Sequence, residues 1–275
     1  MLKKICLYTL LAILLSGCQD WIDVSPKTEV KGENMFSTED GFKSALIGVY
    51  GRMTNTETYG KNLSYGYIEE LAQRYDNYTV GAVPSNDERA KIYDYKNNQN
   101  SKSRLNTIWE EMYKTIANIN NLITNLDARG DDVIKTAGYR NIIEGEAYAL
   151  RAYHYFDLLR LWGPIYSKEP NALTLPWRDE LGADKVPLME ANKVVEKILA
   201  DLDHAEMMLA DDPLNWAADT EGAFLGYRNY RMNLLAVKAL KARVYLYIGD
   251  KTKAATYAKY VVDNSGLSLV KDNSS

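Results

Sequence analysis

Trp109, Met112, Ile116, Ile119, Ile123 and Leu126 recur at spacings of 3, 4, 3, 4 and 3, the period of a helix that buries one face. The spacing predicts a helix over 105–127, stopped by Arg129-Gly130-Asp131-Asp132. A longer helix is predicted over 137–161. Ile143, Ala147, Leu150, His154, Leu158 and Leu161 form one stripe on it, and Gly145, Ala149, Ala152, Phe156 and Leu159 form a second. Two stripes predict packing on two sides, and the small residues of the second let a neighbour approach closely. Trp162-Gly163-Pro164 ends this helix, because proline cannot continue it.

The same period predicts an earlier helix through Phe42, Ala45, Leu46, Val49 and Tyr50, capped by Ser37 or Thr38 with acids in its first turn. Later helices are predicted over 191–210 and 231–248, and again after Gly249-Asp250 through Ala254, Tyr257, Ala258 and Val261. Ala239, Ala242, Tyr245 and Leu246 followed by Ala254, Tyr257 and Ala258 resemble one tetratricopeptide unit of two antiparallel helices. Residues 165–188 hold three prolines among hydrophobic residues and read as a packed loop, and no alternating strand pattern competes anywhere. The expected fold is all-α: an irregular α-solenoid of tetratricopeptide-like helix pairs with long loops.

The N-terminus fixes a compartment. Lys3 and Lys4 precede an apolar run, Ile5 to Leu15, that is too short to span a bilayer. Leu15-Ser16-Gly17-Cys18 is similar to a bacterial lipobox, in which Cys18 is acylated and becomes the first mature residue. The alternative is an ordinary secretory signal with an incidental cysteine. Residues 1–17 then form a lipoprotein signal peptide, 18–36 a lipidated tether and 37–275 the helical domain. Without Lys3 and Lys4 the chain has 31 basic and 37 acidic residues, a net charge of −6, which argues against nucleic acid. Cys6 leaves with the signal and Cys18 carries lipid, so no disulfide is expected and the fold rests on its core. His154 and His204 have no metal-like spacing; His154, on an apolar stripe, reads as a core or interface residue, and no metal or cofactor is implied.

Cys18-Gln19-Asp20-Trp21-Ile22-Asp23, then Pro26, then Phe36-x₅-Phe42-x₂-Ala45-Leu46-x-Gly48-x-Tyr50 resemble the start of SusD/RagB-family lipoproteins. Trp109-x₃-Tyr113-x₂-Ile116-x₃-Asn120 is similar to that family's next helix. Gly145-Glu146-Ala147-x₂-Leu150-Arg151-Ala152-Tyr153-x-Tyr155-Phe156-x₂-Leu159-x₂-Leu161-Trp162-Gly163-Pro164 is the most specific match. Ile198-x₂-Asp201-Leu202-x₂-Ala205 and Ala242-Arg243-Val244-Tyr245-Leu246-Tyr247 continue it in order. The resemblance implies a non-enzymatic, surface-exposed outer-membrane lipoprotein. Such a protein captures nutrient oligosaccharides, or in some branches peptides, and delivers them to a TonB-dependent, SusC-like transporter. It also implies a longer chain, so this sequence reads as an N-terminal portion whose C-terminal half is missing. A structural accessory of the transporter without its own ligand is a second reading. A surface glycoside hydrolase is a third: no G-x-S-x-G or H-E-x-x-H occurs, though paired carboxylates carry no short signature.

Seven of the 21 tyrosines lie in residues 59–95, together with Arg74, Asp76, Asn77, Asn86 and Asp87. Sugars present apolar C–H faces ringed by hydroxyls, so flat aromatics flanked by polar side chains suit them. By segment and chemistry, the expected ligand contacts are Tyr65, Tyr67, Arg74, Asp76 and Tyr78. The alternative is a loop whose tyrosines pack on the scaffold. Trp177 and Trp216 lie in loops and read first as packing residues.

Overall fold

The computed structural model describes residues 35–75, 93, 99–213 and 224–268. Cys18, Asp76, Tyr78 and Trp216 therefore lie outside the described residues, as do the boundaries at 17 and 18. All elements below belong to the unit that begins at Phe36.

Helix α1 (Glu39–Met53) starts where Thr38 caps it, the Thr38 hydroxyl accepting from the Gly41 N–H at 3.1 Å. Phe42, Leu46 and Val49, spaced 4 and 3, are its buried face. The Glu39 carboxylate accepts from the backbone N–H groups of Lys135 and Thr136, each at 2.9 Å, and from the Thr136 hydroxyl at 2.8 Å. Those bonds, with Thr136 first, hold the Glu39 carboxyl below its ordinary pKa. Helix α2 (Tyr67–Leu71) is a short turn on the connection to α3.

Helix α3 (Gln99–Asn125) buries Ile108, Met112, Ile116, Ile119 and Ile123, while Trp109 sits half-buried at the edge of that stripe. Its end corrects the expected stop at 129–132. The chain widens into a π turn over Leu126–Gly130, makes one α turn over Asp131–Val133, and leaves helix only at Ile134, which is extended.

Helix α4 (Tyr139–Trp162) buries 16 of its 24 residues, which makes it the centre of the fold rather than a surface helix. His154 is among them, its Nδ1 2.7 Å from the Leu150 carbonyl oxygen. Gly163 ends α4 with extended backbone. Helices α5 (Ala191–Met208), α6 (Leu234–Tyr247) and α7 (Lys251–Asn264) follow. From α3 to α7 each helix packs on the next, the neighbour-on-neighbour arrangement of a solenoid, and α1 packs on α3 and α4. The α6–α7 turn uses Gly249 at φ +88°, then Asp250 caps α7 by accepting from the Lys253 N–H at 3.0 Å. Tyr245 and Tyr257 stack across the pair, centroids 5.5 Å apart at 7°. Among the described residues, no helix is long and apolar enough to cross a membrane.

Between α4 and α5 the structure departs from an unbroken loop. Strands β1 (Leu173–Pro176) and β2 (Leu188–Glu190) pair antiparallel, Leu175 facing Met189 and Pro176 facing Leu188. With four and three residues, and only Leu175 buried, neither strand is long enough to show a period of two. The hairpin's continuation packs Trp177 on Tyr155, centroids 3.9 Å apart. Beneath it, Arg151 grips Asp201 of α5 through two bonds of 2.7 Å and Asn120 of α3 at 3.1 Å. Asn120 in turn donates to the Arg178 carbonyl at 2.8 Å, so this helix-interior asparagine ties a loop to three helices.

Candidate functional site

The connection from α1 to α2 satisfies its own backbone. The Gly60, Leu63, Gly66 and Ile68 N–H groups donate to the carbonyls of Asn55, Thr58, Lys61 and Asn62 at 2.8 to 3.0 Å. A Cβ at Gly60 would collide with the Thr54 carbonyl oxygen, so that close approach requires glycine. Leu63 and Tyr67 anchor the loop in the core. Tyr59 adds a polar anchor, its hydroxyl donating to the Asp157 carboxylate at 2.9 Å, and burial holds that phenol far above its ordinary pKa.

The loop so fixed faces the first turns of α3 across a polar groove of about 360 Å³. Thr56, Glu57, Lys61 and Asn62 line it from the loop, and Asn100, Ser103, Arg104 and Thr107 from α3. One carboxylate, two cations, two amides and three hydroxyls supply both donors and acceptors, as the hydroxyls of a polyol require. Three exposed tyrosines lie on the same α1–α3 connection, outside the groove lining. Tyr65 is 61% exposed; the Tyr75 hydroxyl donates to the Tyr65 carbonyl; the Tyr93 hydroxyl donates to the Leu71 carbonyl at 3.0 Å and accepts from Gln73 at 3.2 Å. Arg74 is exposed, its Nε 3.8 Å from Glu69.

Of the residues expected to touch ligand, Tyr65 and Arg74 are on this surface. Tyr67 is not: at 2% exposure it is a core side chain, with the Arg104 guanidinium 5.2 Å above its ring. As the first residue of α2 it turns inward, where a large aromatic contributes more by burial than at the surface. Asp76 and Tyr78 lie outside the described residues. Trp177 is buried, as a packing residue. The groove residues on either side were missed. One signal for them existed: residues 99–104 read Gln-Asn-Ser-Lys-Ser-Arg, helical yet without the apolar stripe that begins at Leu105, and a polar helical turn has a purpose other than the core. Among the described residues, no three His, Cys, Asp or Glu side chains come together to hold a metal.

A family model described as "Starch-binding associating with outer membrane" matches residues 20–246. SusD-like protein P2 of Formosa agariphila is 26% identical over 257 residues, covering 94% of this chain and 45% of that protein. A SusD superfamily protein of Bacteroides thetaiotaomicron superposes with a TM-score of 0.64 at 24% identity, over 83% of this chain and 47% of that one. A laminarin-binding SusD-like protein superposes with a TM-score of 0.58 at 22% identity, over 82% and 43%. The chain thus spans about half the length of the relatives it matches, and the solved structures, all below 25% identity, establish its fold. With a family model matched over most of its length, the chain belongs to the SusD-like family of outer-membrane-associated proteins.

Proposed function

We propose that the chain is the sugar-capturing part of an outer-membrane nutrient-binding lipoprotein that hands oligosaccharides to a TonB-dependent transporter, without catalysing a reaction itself. The observation that carries this reading is a groove lined by eight hydrogen-bonding side chains, with exposed tyrosines on the same α1–α3 connection. The starch named in the family description and the laminarin named for a structural relative give the class of ligand to try first. In gels containing starch or laminarin, Tyr65→Ala lowers affinity by about threefold to tenfold, the loss of one aromatic face. Arg104→Ala and Asn62→Ala weaken retention further by removing partners for hydroxyls. Retention equal to wild type in all three variants moves the ligand elsewhere.

Residues 1–17 are proposed as the leader and 18–36 as the tether, with Cys18 carrying the acyl chains that place the helical domain at the outer-membrane surface. Each buried CH₂ adds about 0.8 kcal/mol, so several chains on one residue anchor stably. On fractionation, Cys18→Ala moves the protein from the membrane pellet to the soluble fraction; retention in the pellet sinks the lipid anchor.

A further inference from the structure

A second groove, of about 760 Å³, lies between α1 and the segment leading into α6, and shares no residue with the first. Ile47, Gly48 and Tyr227 line it, with Asp40, Lys43 and Ser44 from the first half of α1. Three features of this groove decide what it can hold.

Tyr227 is the first. It holds φ +56°, a left-handed backbone that glycine adopts freely and tyrosine does not. The next residue, Arg228, is buried in ion pairs with Glu146 and Asp212, and Arg231 is locked to Glu146 as well, so the segment is clamped where Tyr227 must stand. Yet Tyr227 is 45% exposed, and Tyr230 beside it, outside the groove lining, is 76% exposed, ring centroids 6.1 Å apart at 31°. A strained position has kept a large aromatic that the core does not bury.

Gly48 is the second. It sits in the middle of α1, and nothing lies within 4 Å of where its Cβ would be. No neighbour forbids a side chain there, and alanine would favour the helix; the space left open is space in the groove. The third is the polar end. Lys43 pairs with Asp40 at 2.6 Å and Ser44 adds a hydroxyl, so an acceptor, an ammonium and a donor–acceptor stand together beside an apolar wall.

An apolar wall with the exposed Tyr227 takes the C–H side of a pyranose, and the carboxylate–ammonium–hydroxyl end takes its vicinal hydroxyls. The volume falls in the range of small-molecule sites. We propose that this groove is a second carbohydrate site, taking a short stretch of a polysaccharide independently of the groove beside Tyr65. The inference rests on the glycan-binding reading above.

The test is affinity electrophoresis of the chain in gels containing starch or laminarin, with thermal melting of every variant. Gly48→Leu projects a side chain into the groove from a position whose Cβ meets nothing, and Tyr227→Gly removes the ring while relaxing its backbone. Each lowers polysaccharide affinity about tenfold, because two sites on one polymer reinforce each other. Melting temperatures stay at or above wild type, and Gly48→Ala, which leaves most of the groove open, binds as wild type does. If Tyr65→Ala weakens retention while Gly48→Leu and Tyr227→Gly migrate as wild type, the second site is overturned and the first stands. If lost retention accompanies lowered melting temperature in both groove variants, the groove is structural and the proposal fails. If wild type is retarded by neither polymer, the glycan reading falls and this site with it.

Discussion

Glu146→Ala destabilises the fold by about 3–5 kcal/mol, the cost of stripping one partner from buried opposite charges. Glu146 is fully buried on α4. Its carboxylate accepts from Arg228, from Arg231 at 2.6 and 3.0 Å, and from the Tyr50 hydroxyl. Burial, and then the charge of Glu146, push the Tyr50 phenol well above its ordinary pKa, so Tyr50 remains a donor to Glu146 while accepting from the Met232 N–H at 2.9 Å. Arg228 also takes Asp212 in a two-pronged grip, and Asp212 accepts from the Leu234 N–H at 3.2 Å at the start of α6. Burial alone would lower the pKa of Arg228, but Glu146 and Asp212 outweigh it and hold the guanidinium charged. One carboxylate thus joins α1, α4 and the entrance to α6. Without it, Arg231 loses its only carboxylate partner among the described residues and Arg228 keeps Asp212 alone. Glu146→Gln, which keeps the shape and one acceptor, costs less than alanine. Urea denaturation with an unchanged slope reads both losses; a loss below about 1 kcal/mol for alanine would mean that the cluster is hydrated and behaves as a surface pair.

This network shows what a sequence does and does not display. Apolar spacing revealed α4 and α5 to within two residues and α3 from Leu105 onward, because burying a stripe at a period of 3.6 leaves a mark inside a single helix, while the first six residues of α3 carry no stripe. A buried charge leaves no such mark. The partners of Glu146 are residues 50, 228 and 231, and no local pattern links them. The motifs that carried the family resemblance did contain Glu146, Arg151 and Asp201, and the structure supplies their reason: Arg151 and Asp201 bind α4 to α5, and Glu146 binds α4 to α1 and the α6 entrance. The site was legible only as a segment. Tyrosine composition marked residues 59–95 as unusual, but a tyrosine's type does not tell whether it faces solvent, as Tyr65 does, or the core, as Tyr67 does.

The close approach of α4 and α5 leads to a second large effect, at Gly145. A methyl group there would lie 2.6 Å from Cγ and 3.0 Å from Cδ2 of Leu209, and 3.1 Å from Cβ of Met208, at the C-terminal end of α5. Leu209 is fully buried and Cγ is one bond from its Cβ, so the clash is relieved only by moving the end of α5. Overpacking of this kind costs about 1–3 kcal/mol, against a gain of about 1 kcal/mol from replacing a helix-interior glycine. Gly145→Ala is therefore destabilising, Gly145→Val more so because its branched Cβ has a single favoured rotamer in a helix. Leu209→Ala alone leaves a cavity and loses about 2–5 kcal/mol. Combined, the methyl at 145 enters the space vacated at 209, and the double variant loses less than the sum by about 1 kcal/mol or more. A double-mutant cycle by urea denaturation measures that coupling. Additivity within about 0.5 kcal/mol would show that the two helices adjust freely at this contact, and that the stripe of Gly145, Ala149 and Ala152 does not set their spacing.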